Sequence, residues 1–127
     1  GRLTLNLNAE KVQVNGDPFH LKNAISNLID NAIKYSFNKP EITIQTSNYD
    51  QLIIIEVIDK GIGIDKEFHK AIFGKFFRIP SGDVHNVKGF GLGLSYVNKI
   101  VELHQGSLAV MSQKGLGSSF IIKLPNA

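Results

Sequence analysis

The sequence predicts an α+β fold. Short segments in which apolar and polar residues alternate, at both ends and in the middle of the chain, mark strands, and two segments with apolar residues at helical spacing mark helices. At 127 residues and 43% hydrophobic composition the chain suffices for one compact domain, residues 1–127, and is too short for two.

Leu3, Leu5 and Leu7 alternate with polar residues, and Val12 and Val14 do the same, which predicts two short opening strands with one buried face. Asp17-Pro18 reads as an N-cap followed by proline at the first helical position, where a missing N–H costs nothing. The helix is expected to run to about Tyr35, with Leu21, Ile25, Leu28, Ile29 and Ala32 as its apolar stripe. Asn23, Asn27, Asn31 and Lys34 recur at spacings of three and four on another face, so one face packs and the other is free to bind. Asn38-Lys39-Pro40 breaks the chain, and Ile42 and Ile44 lead a strand expected to pair with residues 52–58 across a polar turn at 47–51. That second strand is apolar at nearly every position, as in a central strand covered on at least part of both faces.

The pattern weakens from 65 to 88. A short helix is expected near 66–73, followed by a long loop carrying Pro80, Ser81, Gly82 and Asp83 and read as mobile. Leu94, Val97, Ile100, Val101 and His104 mark a second amphipathic helix, closed by Gln105-Gly106 in the manner of a C-terminal glycine cap. Two closing strands, about 107–112 and 118–124, join through a turn at 114–117.

Several function classes fall away. Without cysteine there is no disulfide framework, thiolate metal site or thiol nucleophile, which fits a reducing compartment. The longest apolar run, around 52–58, is broken by Glu56 and falls far short of the roughly 20 residues that span a bilayer. The net charge of +3 comes from scattered basic residues, which favours an ordinary solvated surface over a nucleic-acid face. Gly1-Arg2 begins without methionine or a signal-peptide pattern, so the chain reads as a fragment of something longer.

Three short motifs carry the chemistry: Asn27-Leu28-Ile29-Asp30-Asn31, then Asp59-Lys60-Gly61-Ile62-Gly63, then Gly89-Phe90-Gly91-Leu92-Gly93-Leu94. Asparagine inside a helix costs roughly 0.5 kcal/mol relative to alanine, so Asn27 and Asn31, on one face, require a reason. Amide oxygens suit a hard cation such as Mg2+, which keeps several waters and takes phosphate oxygens as well. Lys34, one turn on, would then meet a phosphate. A polar face wetted by solvent is the alternative.

Asp59 closes the most apolar strand. A carboxylate accepts hydrogen bonds and cannot donate them, so it selects adenine, whose amino group donates, over guanine, which presents a carbonyl there. Gly61 and Gly63 remove side chains that would hold the backbone away from a flat base; a plain Asp-x-Gly turn is the alternative. Calcium fits poorly, because an EF-hand register from Asp59 sets Gly61 and Gly63 at ligand positions and Lys70 at the closing glutamate. The third motif is not the dinucleotide fingerprint, and no G-x-x-x-x-G-K-[ST] loop occurs. Glycines leading into a helix that starts near Leu92 expose backbone N–H groups at the positive end of a dipole, which suits polyphosphate. A ligand-free glycine hinge is the alternative.

In this order and spacing the motifs resemble the N box and the two glycine boxes of the GHKL ATP-binding superfamily, which includes gyrase, the ninety-kilodalton heat-shock chaperones, mismatch-repair ATPases and sensor histidine kinases. The resemblance covers nearly the whole chain. Phe73-Gly74-Lys75-Phe76-Phe77-Arg78 looks like the F box of histidine kinases, residues 27–35 like their N box, and Gly115-Leu116-Gly117-Ser118-Ser119-Phe120 like their C-terminal hairpin. The resemblance implies a two-layer sandwich, a mixed sheet of about five strands on about three helices, with ATP between the helices under a flexible lid of about residues 65–92.

It also implies a ligand set of ATP and Mg2+. By the resemblance, Asn31 would be the principal magnesium ligand with Asn27 beside it, and Lys34 and Tyr35 would line the phosphate and ribose side. Asp59 would read the adenine amino group, Gly63 would back the base with Gly61 in the same turn, and Ser118 would stand near it through water. Arg78 would reach the terminal phosphate when the lid closes. Gly89, Gly91 and Gly93 would wrap the phosphates, with Lys88 and Leu92 in the same nucleotide-binding set. Phe73 and Phe76 anchor the lid, and Phe90 departs from the small or hydroxylated residue common at its place.

In the ATP-hydrolysing relatives a glutamate at the place of Asn27 serves as general base. An amide takes no proton from water, so the resemblance implies a protein-histidine kinase that transfers the γ-phosphate to a histidine. Asn27, Asn31, Lys34 and Arg78 form its catalytic set, acting by positioning and charge neutralisation. His20, His69, His85 and His104 are followed by Leu, Lys, Asn and Gln, whereas the family's acceptor is followed by an acidic residue on an upstream helical hairpin. The acceptor is therefore expected on a separate dimerisation domain of the parent. His20 and His104 are expected as helix-face residues, and His69 and His85 as lid residues. The implied partners are that domain, the nucleotide and, indirectly, a response regulator, with no nucleic acid and no direct membrane contact. The implied place is cytoplasmic, in a parent of a kind often anchored in the inner membrane. Two other readings share the motifs: a GHKL-type ATP hydrolase, against which Asn27 argues, and a non-catalytic nucleotide-binding module.

Overall fold

In a computed structural model, residues 2–10, 13–36, 39–73 and 94–126 are described. The first helix, α1 (Pro18–Lys34), starts as its sequence dictates: Asp17 Oδ1 accepts from the Phe19 N–H at 2.9 Å and the His20 N–H at 3.2 Å, with proline filling the first turn. A cap of this kind is worth about 1 kcal/mol. Tyr35 ends the helix as its C-cap.

Five strands form one mixed sheet: β1 (Arg2–Leu7), β2 (Glu41–Tyr49), β3 (Leu52–Asp59), β4 (Ser107–Gln113) and β5 (Gly117–Pro125), in the order β1-β2-β3-β5-β4. β1 runs parallel to β2, and the remaining pairs are antiparallel. The second helix, α2 (Leu94–Leu103), packs beside α1. Ala24, Leu28 and Ala32 of α1, Val97 and Val101 of α2, Val57 of β3 and Phe120, Ile122 and Leu124 of β5 close into one core between the helical layer and one face of the sheet. This is the two-layer α+β architecture that the motifs imply. Two α-helices stand among the described residues where about three were expected. The segment read as a helix near 66–73 is two single 3-10 turns, Lys66–Phe68 and Ala71–Phe73, the first with no side-chain cap.

β1 does form, but Leu3, Leu5 and Leu7 are 61%, 54% and 63% exposed rather than buried. Their register against Ile42, Ile44 and Thr46 sets them on the core-facing side of the sheet, yet at its edge. Val14 packs on the core without belonging to a strand, because Asn15-Gly16 bends the chain directly after it, and Val12 lies outside the described residues. The β2–β3 turn is tighter than expected, since 47–49 stay paired and Asp50, at φ 57, makes the reversal with Gln51. At the end of α2 it is Gln105, not the glycine, that takes the left-handed conformation (φ 64), while the Gly106 N–H reaches Val101 O at 2.9 Å. His104 is not a helix-face residue. Its Nε2 accepts from the Asp17 N–H at 2.9 Å, so Nδ1 carries the proton and donates to Ile100 O at 2.7 Å, tying the end of α2 to the start of α1.

Candidate nucleotide site

Strand register assembles the site. Across the sheet, Ile42 of β2 pairs with Asp59 of β3, Asp59 with Ser118 of β5, and Ser118 with Ser112 of β4. This row runs on from rows of core residues such as Ile44, Val57, Phe120 and Val110, so its side chains point to the helical layer as theirs do. A slip of one residue would turn Asp59 and Ser118 away from it. The apolar stripe thus ends in a carboxylate and two hydroxyls at one end of the sheet, where the last turn of α1 passes.

Asn31, Tyr35, Asp59, Ile62, Gly63, Ile64, Ser118 and Phe120 line a concavity there. Asn31, Asp59 and Ser118 are the buried polar residues among those described, at 6%, 7% and 7% exposure in a core otherwise apolar. Buried polar groups of this kind are held by partners. Asp59 Oδ1 accepts from the Gly61 N–H at 2.8 Å, and the Ser118 backbone N–H also favours its charged form. Burial outweighs both and raises the Asp59 pKa above the ordinary aspartate value. Burial likewise raises the pKa of Tyr35, keeping its phenol protonated.

The turn after β3 is fixed by its own contacts. The Ile62 N–H donates to Tyr35 O at 3.0 Å, and Ile62 O accepts from the Gly115 N–H at 2.7 Å, so the turn is clamped between the end of α1 and the β4–β5 hairpin. A Cβ on Gly61 would lie 2.3 Å from Tyr35 O, and one on Gly63, at φ +73, would lie 2.1 Å from Gln113 O. These glycines are therefore required first by the protein's own backbone packing, a different reason from clearance for a base.

Of the residues singled out from sequence, Asn31, Tyr35, Asp59, Gly63 and Ser118 come together around the concavity, and Gly61 stands behind Asp59. Asn27, half-buried one turn earlier on α1, and Lys34, exposed, are not part of its lining. Phe73 packs against the core. His20, on α1, has Nδ1 3.2 Å from the Tyr96 hydroxyl, and His69 has Nε2 3.0 Å from Ile64 O. Arg78, Lys88, Gly89, Gly91, Leu92 and Gly93, with Phe76, His85 and Phe90, lie outside the described residues. The walls Ile62, Ile64 and Phe120 were missed, although the alternation Ser118, Phe120, Ile122, Leu124 in β5 already sets Phe120 on the face of Ser118.

The family described as histidine kinase-, DNA gyrase B-, and HSP90-like ATPase matches residues 16–127. Sensor protein RprX of Bacteroides fragilis is 44% identical over 98% of this chain, which spans 24% of that relative's length. The structure of the mycobacterial sensor histidine kinase MprB is 28% identical and superposes with a TM-score of 0.82, covering 98% of this chain and 82% of that one. Histidine kinase ThkA, solved in complex with the response regulator protein TrrA, is 25% identical with a TM-score of 0.78, covering 98% of this chain and 34% of that one. Among the described residues, no helix is long and apolar enough to cross a membrane.

Proposed function

This chain belongs to the histidine kinase-, DNA gyrase B- and HSP90-like ATPases, as a catalytic domain of the sensor histidine kinase type, and from there we propose that it binds Mg-ATP and passes the γ-phosphate to a histidine elsewhere in its parent protein. The observation that carries this reading is the Asp59 carboxylate, buried at the end of the central strand, held by the Gly61 N–H and facing the same concavity as Ser118 and Asn31. An acceptor fixed in a largely apolar pocket asks for a donor, and the adenine amino group supplies one. Phe120, Ile62 and Ile64 give the flat ring apolar walls.

With the base at Asp59, the polyphosphate extends along α1 toward Asn31. No group of three or more His, Cys, Asp or Glu able to hold a metal occurs among the described residues, so a cation here depends on phosphate oxygens and amide ligands. Asn31, buried in the lining of the concavity, fits that donor set, with Asn27 one turn away on the same helix. Bound Mg2+ supplies charge neutralisation on the phosphates. Lys34, exposed at the last turn of α1, is placed for a phosphate, and Arg78 with Lys88, Gly89, Gly91, Leu92 and Gly93 completes the proposed enclosure.

In the transfer, a neutral imidazole nitrogen forms the new P–N bond while the bond from the γ-phosphorus to the bridging oxygen breaks, and ADP leaves with the electron pair. Nothing in this step needs a base that deprotonates water, which is why an amide at Asn27 is compatible with transfer and poor for hydrolysis. The partners proposed are the parent's dimerisation domain and, through it, a response regulator, in a cytoplasmic setting; the ThkA complex shows such a regulator bound to a related kinase.

The test mixes this chain with the separately produced helical hairpin of its parent and γ-labelled ATP. The expected product is an acid-labile, base-stable phosphohistidine on the hairpin, with little phosphate release by the chain alone. Sustained multiple-turnover phosphate release would make it a hydrolase instead, and nucleotide binding with neither reaction would make it a binding module.

A further inference from the structure

Ser112 lies one strand beyond the concavity and does not line it, yet its hydroxyl makes three contacts at once. The Ile64 N–H lies 2.7 Å from Ser112 Oγ, Gly117 O lies 3.0 Å from it, and Ser118 Oγ lies 2.7 Å from it. A serine hydroxyl has one proton and two lone pairs. The Ile64 amide can only donate and the Gly117 carbonyl can only accept, so the Ser112 proton goes to Gly117. All three contacts are then hydrogen bonds in one arrangement only, with Ser118 donating its proton to Ser112.

We infer that Ser112 is a positioning residue that fixes the Ser118 hydroxyl as an acceptor toward the ligand and so sets the purine selectivity of the site. With its proton committed sideways, Ser118 offers only lone pairs to the concavity it shares with Asp59. The two residues face each other in register across β3 and β5. The polar edge of the site becomes acceptor-only: it welcomes an amino group or a bridging water and rejects a carbonyl at both oxygens. Without Ser112, the Ser118 hydroxyl can turn and donate to a 6-oxo group. Ser112 also holds the Ile64 amide, which follows Gly63, so the strand hairpin and the turn behind the base move as one.

This rests on the adenine reading of the site. The experiment is calorimetric titration of the wild-type chain, Ser112→Ala and Ser112→Thr with ADP and with IDP, which carries a 6-oxo group in place of the amine, alongside their melting temperatures. Wild type is expected to prefer ADP, Ser112→Ala to narrow the ADP/IDP affinity ratio about 5-fold, and Ser112→Thr, which keeps the hydroxyl, to restore it. General loosening of the hairpin lowers both affinities by one factor and leaves the ratio unchanged. An unchanged ratio in Ser112→Ala overturns this inference alone, whereas equal binding of ADP and IDP by wild type overturns the adenine reading and this inference with it.

Discussion

Asp59→Asn is expected to lower ADP affinity about 100-fold while leaving the unliganded chain at least as stable as wild type. The two effects have one cause. Burial raises the Asp59 pKa despite the Gly61 and Ser118 amides, so the charged form is less favourable in the folded chain than in the unfolded one. The folded state therefore holds the proton more tightly, and stability is fully present below the unfolded pKa and lost as pH rises through the raised folded value. At neutral pH the ionised carboxylate is a cost of function. Asparagine removes the charge and keeps an oxygen for the Gly61 N–H, but it brings a donor where the ligand must also donate. Calorimetry with ADP and thermal melts at neutral pH check both halves. In the wild type, nucleotide affinity is expected to fall on acidification at a higher pH than an ordinary aspartate would dictate. A variant that binds ADP normally, or one that loses binding only because it melts earlier, would contradict this account of Asp59.

Gly63→Ala carries the second large effect, on folding. The residue sits at φ +73, and an added Cβ would meet the Gln113 carbonyl at 2.1 Å, a backbone atom that cannot swing aside. Left-handed strain and steric displacement of the β4–β5 hairpin together are expected to cost about 2 kcal/mol or more. Gly115 separates the two terms: its φ is +87, but a Cβ there meets nothing within 4 Å, so Gly115→Ala is expected to cost only about 1 kcal/mol. Urea unfolding of both variants gives the comparison. Equal losses would mean that the close approach to Gln113 contributes nothing.

The polar members of the site were legible because they break a local rule. Asp59 ends a strand that is apolar but for Glu56, and Asn31 interrupts a helix with a weak helix former; both stand out from residue type alone. Ser118 was legible through its hairpin motif. Ser112 was not, because its role depends on the register of the β4–β5 hairpin, which sets it opposite Ser118, and on the Ile64 N–H, which reaches it from 48 residues away in the chain, a contact that no local pattern encodes. The same reason hid Ile62 and Ile64, whose places depend on the turn being clamped between Tyr35 and Gly115. The leucines of β1 were misjudged for a different cause. Alternation tells which side chains share a face and says nothing of whether a neighbour covers it, and at a sheet edge the described helical layer leaves them open. For Gly61 and Gly63 the residue type was informative while its reason lay in backbone contacts with Tyr35 and Gln113 that only the folded chain reveals.

The acceptor edge formed by Asp59 and Ser118 is expected to read a purine amino group. Calorimetric titration of this chain with Mg-ADP and Mg-GDP measures that discrimination. The expected result is measurable ADP binding with GDP at least about 100-fold weaker, since the 6-oxo group meets two acceptors and leaves them unpaired. Equal affinity for the two nucleotides, or no binding of ADP, would contradict it.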